Sequence, residues 1–463
     1  MLEADNPTQA MSAPRARNGS VATFLLLVSL LFSLAFSTGT AGDEELLSTP
    51  LALAKLVILV GHLLLGLAMI AISGPFRRRL GQVTLALLPL VLYYVLAAAL
   101  LPFSVRPSYS MVRLVLAVVQ FTCILLLATH FLHRTTDPLR EFTKDLIWAS
   151  VVMLVASLLF MAQSGGLARI GPTGGVIHPA ELAVIYSFSI MAALLYRRSF
   201  PVSRGTGQAT LFGNTTIVDL GRLFILLVGS VIFLVLQTRG AMASLVLGML
   251  LVLIGGFLSG GRGQGFILIV LVLIGSAAAL FLSEPITNFI MRGQTVEDIS
   301  SGTGRTEIWR ELFQGMDAQS LLTGFGFSIS FRTFSLKILN GEVFGTHQAF
   351  LQCLASLGIG GLLLMLIFLL RALWAFLAGM GRRTEGAFLG AAFVLNIIVT
   401  GLSESTFGTN PTTSFAIFMA YVAIYQVRTR AAAKTLRLTN RAAARAAMPT
   451  PNRPGTRQQP SAG

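Results

Sequence analysis

The chain has 463 residues, 54% of them hydrophobic and only 11% charged, with a net charge of +15 and a mean hydropathy of +0.77. A water-soluble domain carries about 25% charged residues, so composition excludes a soluble globular protein. The basic balance fits loops that fix orientation and touch anionic headgroups, and gives no reason to expect nucleic acid as a partner.

Apolar runs of roughly 18 to 24 residues recur along the chain, each long enough to cross a hydrocarbon core of about 30 Å. They lack period-2 alternation, so they read as helices and not as barrel strands. The expected fold is all-α, a polytopic membrane bundle of about twelve transmembrane helices. The runs lie near 21–39, 51–72, 82–102, 110–132, 146–163, 180–196, 217–238, 240–258, 265–283, 348–373, 385–403 and 412–427. The first follows Arg15 and Arg17 and also fits a signal peptide. Residues 1–20 read as a disordered N-terminus, 21–427 as the bundle, and 428–463 as a basic disordered tail near the inner leaflet.

Positive charge orients these runs. With the N-terminus cytoplasmic, most of the 34 lysines and arginines fall inside. They include RRR at 77–79, 133-HRTTDPLREFTK-144, 197-RRSFPVSR-204, 260-GGRGQG-265, 381-GRR-383 and the tail. Both termini are then cytoplasmic. The opposite face receives a long loop, 284–346, and loops of this length are often functional. Within it, 306-TEIWRELFQGM-316 sets Ile308, Trp309, Leu312 and Phe313 on one side, as in an amphipathic helix lying on the membrane or the bundle.

The unusual chemistry collects on this outer face. The loop 164-SGGLARIGPTGGVIHPAELA-183 carries Arg169 and His178. The turn 237-QTRGA-241 carries Arg239 and Gly240, and the long loop carries Arg305 and ends at His347 and Gln348. Glu404 lies in 401-GLSESTFGTNP-411. Arginine forks suit phosphate oxygens, and glycines let backbone N–H groups approach an anion. An outward phosphate or diphosphate site is one reading of this set. Plainer readings stand beside it. Arg239 fits an arginine snorkelling to the interface, and Arg305 and Arg310 can pair with Glu307 and Glu311. His347 fits an interfacial histidine bonded to a loop carbonyl, and Glu404 a helix-end carboxylate. Gly358, Gly360 and Gly361 fit close helix packing. Cys123 and Cys353 sit in apolar runs and read as small hydrophobes. No zinc spacing, Walker loop, GxSxG elbow or kinase set occurs, so neither a metal nor a cofactor is expected.

Taken in order, these segments resemble the O-antigen ligase and Wzy-type polysaccharide polymerase superfamily of bacterial inner membranes, over residues 160 to 425. RIGPTGGVIHPAELA resembles its Arg–Gly…His-Pro-Asn segment, with Ala180 where Asn is common. QTRGAMASL is similar to its Ser/Thr-Arg-Gly-Ala turn, SGTGRTEIW to its Ser-Gly-Arg-x-x-x-Trp segment with an extra Thr-Gly, and LLTGFGF to its Gly-x-Gly segment. THQAFLQCLASLGIGG resembles its His-Asn…Gly-x-x-Gly segment, with Gln348 replacing Asn.

The resemblance implies a metal-independent glycosyltransferase whose site faces the periplasm. Its donor would be an undecaprenyl-diphosphate-linked glycan, and its neighbours membrane lipids, a chain-length regulator and a flippase. By family position, Arg239, Arg169 and Arg305 would stabilise the diphosphate. His347 would take the acceptor's proton or orient the acceptor, and Glu404 is a second candidate base. His178, Gly240 and Gln348 would line the substrate. Polymerisation of O-antigen or exopolysaccharide repeat units is the reading preferred, with ligation to the lipid A core of lipopolysaccharide as the alternative. A secondary transporter or lipid flippase is a further alternative. It is disfavoured by the scarcity of mid-span charge, Asp219, Arg222 and Arg113 all lying near span ends.

Overall fold

The structure is a computed structural model that describes residues 19–35, 50–163, 179–200, 215–236, 238–258, 305–329, 348–405, 407–408 and 411–446. The segments 164–178, 259–304 and 330–347, with the expected span at 265–283, lie outside the described residues. Among the described residues the elements are helical. They are α1 Gly19–Ala35, α2 Pro50–Ile72, α3 Gly74–Ala86, α4 Leu88–Ala99, α5 Pro107–Arg134, α6 Pro138–Gln163 and α7 Pro179–Ser199. There follow α8 Thr215–Phe224, a π-turn at Ile225–Gly229, α9 Ser230–Leu236, α10 Arg239–Leu258, α11 Arg305–Gly315, α12 Ala318–Thr323, α13 Ala349–Gly381, α14 Ala387–Ser403 and α15 Thr413–Ala446.

Three of these helices are long and apolar enough to cross a membrane by length and composition: Pro107–Arg134, Pro138–Leu159 and Ala349–Gly381. A fourth span is possible if Leu56–Ile72 and Gly74–Ala86, bent by 120° at Ser73, act as one. Among the described residues, shorter apolar helices lie at Leu88–Ala99, Leu182–Tyr196, Gly240–Leu251 and Ala387–Ser403, so the described residues do not establish the twelve spans expected. Breaks divide the run after α2. Ser73 caps α3 by accepting from the Phe76 N–H at 3.3 Å, with Pro75 in its first turn, and α4 begins after a separate break at Leu87. The expected run 82–102 is therefore two helices and a 3-10 turn.

The lipid-facing surface is visible on α13. Ile359, Leu363, Ile367, Leu370 and Trp374 form a helical stripe, with Leu370 60% and Trp374 76% exposed. From Ile359 to Leu377 the stripe is roughly 27 Å long at 1.5 Å per residue, close to a hydrocarbon thickness. Water would not tolerate such a stripe, and a bilayer solvates it. With the other apolar helices, it marks an integral membrane protein.

The centre is α15. From Thr413 to Val427 its described residues are buried. Phe376, Phe393, Tyr421 and Tyr425 pack as an aromatic cluster, and the Tyr421 hydroxyl donates to the Gly386 carbonyl at 2.8 Å. Beyond Val427 the helix continues to at least Ala444, half-buried at Arg428 and Thr429 and exposed from Arg430 onward. Composition had placed a disordered tail from 428. The Ala-rich sequence with no acidic residue instead supports helix, since alanine carries the least helix cost.

Candidate functional site

The described ends of several elements meet at one end of the bundle. α10 begins at Arg239–Gly240 and runs beside α14, whose last residues are Ser403 and the C-cap Glu404. Gly240 lies directly against the Ser403 hydroxyl, so a Cβ at 240 would overlap it. The absence of a side chain at 240 is what lets α10 start there. Glu404 is held in extended conformation, its N–H bonded to the Thr400 carbonyl at 2.7 Å.

Past Glu404 the chain folds onto the start of α13. Gly408 adopts φ +99, and a Cβ there would meet Cys353 Sγ at 2.9 Å and the Ala349 carbonyl at 3.1 Å. The Tyr93 hydroxyl donates to the Gly408 carbonyl at 2.7 Å, tying α4 to the same loop. Phe407 packs edge-on to Phe350 at 5.1 Å. Gln348, the N-cap of α13, thus sits beside the 401–408 loop.

A third wall comes from the long loop. α13 breaks at Leu357 and Gly358, the glycine at φ +62. The break releases carbonyls from the helical ladder. The Ala355 carbonyl then accepts from Phe325 N–H at 2.7 Å and the Ser356 carbonyl from Gly326 N–H at 3.2 Å. Gly358 abuts the Leu322 carbonyl, and Gly324, at φ +69, abuts the Ser356 backbone. The glycine ladder therefore does more than pack helices, because Gly358 makes a docking point for 321-LLTGFGF-327. α11 is the amphipathic helix expected, and it lies on the bundle: Leu312 is buried with Ile308, Phe325, Ile329, Ala355 and Tyr109. Phe313, placed on the same side by spacing, is instead 53% exposed.

Asp317 caps α12 through a capping box with Ser320. Hydrogen bonds from the Ser320 hydroxyl and N–H hold its carboxyl below the usual range. Beneath the site, Asn396 is fully buried and donates to Ser187 at 2.7 Å and Ser244 at 2.8 Å, joining α7, α10 and α14. At the far end, Arg428 bonds Asp137 at 2.8 Å and Glu385 at 2.6 Å.

Of the residues singled out by sequence, Gly240, Gln348 and Glu404 are brought to this end, along with the backbone of Arg239, the first residue of α10, while Arg305 is the first residue of α11. The side chains of Arg239 and Arg305 lie outside the described residues, as do Arg169, His178 and His347. Ser403, Tyr93 and Asn396 were not anticipated. Only Ser403 had a local signal, as a small residue beside the singled-out Glu404. Among the described residues no group of His, Cys, Asp and Glu side chains is placed to hold a metal ion.

Residues 224–366 match the family model Wzy_C, described as O-Antigen ligase. This segment, about a third of the chain, is similar to the O-antigen ligase family. The matched segment runs from the end of α8 through the Arg239–Gly240 turn, α11, the 321–327 loop and the α13 kink. It contains the α10 start, the Gln348 cap and the 321–327 docking loop, whereas Ser403, Glu404 and Gly408 lie outside it. A search of curated proteins returned no match.

Proposed function

We propose that this protein is a member of the O-antigen ligase superfamily and a glycosyltransferase of the bacterial inner membrane, using an undecaprenyl-diphosphate-linked glycan on the periplasmic side. The observation that carries the reading is the meeting of the Arg239–Gly240 helix start with Ser403–Glu404 and the Gln348 cap, of which Arg239, Gly240 and Gln348 lie within the family-matched segment. The N-terminus of the 20-residue α10 offers first-turn backbone N–H groups and the positive end of its dipole to an anion.

In this reading Arg239, with Arg169 and Arg305, holds the diphosphate as negative charge grows on it. The acceptor hydroxyl oxygen attacks the anomeric carbon and the bond from that carbon to the diphosphate oxygen breaks. His347 takes the hydroxyl proton, with Glu404 the second candidate base. The lipid diphosphate leaves with the bonding electrons. His178, Gly240 and Gln348 line the substrate. The termini are cytoplasmic.

We carry the reaction as polymerisation of repeat units, the substantial outer loop suiting two carbohydrate chains. Ligation to lipid A core is the second reading, favoured by the description of the matched family. Transport has less support, because Arg222 is committed to Asp219 at 2.6 Å and to the Ala193 carbonyl at 2.6 Å.

The test is transfer from lipid-linked donor in membranes carrying Arg239→Ala or His347→Ala. Each variant is expected to be inserted at normal abundance and to lose transfer. Wild-type turnover in both would overturn the assignment.

A further inference from the structure

The end of the bundle away from this site holds an unexplained group of nitrogen donors. α5 has its N-terminal turn beside the 325–329 loop, and its C-terminus lies about 40 Å away along the helix, at 1.5 Å per residue. There it meets α3, which carries Arg77, Arg78 and Arg79. Arg77 and Arg78 are exposed, and Arg79 is turned inward. Phe76, one turn before Arg79 on the same face, is buried with its ring edge-on to His133, centroids 5.9 Å apart. His130 lies one turn before His133 on α5.

Arg79 Nη1, His130 Nε2 and His133 Nδ1 are each removed from solvent with no hydrogen-bond partner among the described residues. Buried polar nitrogens in this condition are rare, and a bound ion is one explanation. The charged groups acting on His133 are Arg79 and Arg134, and those acting on His130 are Arg134 and His133. None is a carboxylate. The next two carboxylates in sequence are already engaged, Asp137 by Arg428 at 2.8 Å and Glu141 by Lys144 at 2.7 Å. The C-terminal dipole of α5 favours cations at His133 and Arg134 but offers nothing to Arg79 on another helix.

We propose that Arg79, His130 and His133 form an anion site that takes a phosphate group. The guanidinium supplies a charged donor suited to phosphate oxygens. Each neutral imidazole supplies one N–H, so the site gains donors without adding like charge. The phosphate can come from a membrane lipid headgroup or from free phosphate. The proposal does not depend on the transferase reading.

The test uses the full chain, purified in nonionic detergent and stripped of lipid, with its thermal midpoint as readout. Ligand binding to the folded state raises the midpoint. The probes are inorganic phosphate, with chloride at equal ionic strength as control, and phosphatidylglycerol, with phosphate-free diacylglycerol as control. The midpoint is expected to rise with at least one phosphate probe and with neither control. A response to inorganic phosphate assigns a free-phosphate site, and a response to phosphatidylglycerol alone assigns a lipid headgroup site. In Arg79→Gln the apparent affinity is expected to fall at least tenfold, and in Arg78→Gln to stay unchanged. Should Arg79→Gln fail to fold, the double variant His130→Asn, His133→Asn keeps the arginine and carries the same expected loss. No response to either phosphate probe, or an equal response in the variants and the wild type, overturns the proposal.

Discussion

Gly240 and Ser403 touch across the α10–α14 interface, with no room for a Cβ on the glycine. Gly240 follows Arg239 and Ser403 precedes Glu404, so this contact sets the separation of two candidate site residues. Gly240→Ala is expected to push the helix ends apart and cost about 1–3 kcal/mol of stability, as overpacking does. Displacement on the order of 1 Å at a catalytic constellation can cost about 100-fold in rate. Transfer should therefore fall far more than protein abundance. The double variant Gly240→Ala, Ser403→Gly removes the obstructing atoms and should recover most of the activity. Absence of recovery would show that the contact does not set the site.

Gly358 and Gly360 separate two roles that look alike in the sequence. At Gly358, φ is +62 and a side chain would strike the Leu322 carbonyl. At Gly360 an added Cβ meets only the Leu96 side chain at 3.2 Å. Gly358→Ala should cost about 1–3 kcal/mol through backbone strain, with further loss from undocking the 321–327 loop. Gly360→Ala should be mild. Thermal midpoints of the two variants, and protease sensitivity of that loop, check the difference.

How far this site could be read beforehand depended on the range of its contacts. The Arg239–Gly240 turn and the start of α13 were legible because helix ends leave local marks: a Gly-rich turn, a polar residue before an apolar run. The amphipathic face of α11 followed from periodicity. The hydrogen bond from Tyr93 to Gly408 joins residues 315 apart in sequence, and nothing near Tyr93 announces it. The α13 kink was misread as packing, because a glycine's φ depends on the loop that docks against it. The helix beyond Val427 was missed because its exposed alanine and arginine residues resemble a disordered tail in composition.

Asn396 holds α7, α10 and α14 together below the site through Ser187 and Ser244. Asn396→Leu removes both hydrogen bonds and should cost about 1–3 kcal/mol. Unfolding in detergent would measure this. Activity at permissive temperature should fall with it, since the start of α10 loses its support.

Asp137 lies between α5 and α6, bonded to Arg428. Burial raises its carboxyl above the usual range; Arg428 opposes this, and Glu385 adds to it. A raised folded-state value means this group's contribution to stability is complete below the unfolded carboxylate pKa, about 3.9. It is lost as pH rises through the folded value. Asp137→Asn cannot ionise and should flatten that part of the pH–stability curve. Arg428→Ala leaves Asp137 and Glu385 facing each other without their shared cation. It should cost roughly 1 kcal/mol, allowing for partial exposure, and more at neutral pH than in acid. Thermal midpoints across the carboxylate range check both.

The central claim is that the protein transfers lipid-linked glycan. The most direct measurement is the length and attachment of surface polysaccharide in cells lacking the protein. The account predicts loss of long chains, with single repeat units left on the lipid carrier. Full-length polymer retained on the carrier, with bare lipid A core, would move the assignment to ligation. Polymer of normal length and normal attachment would contradict the account.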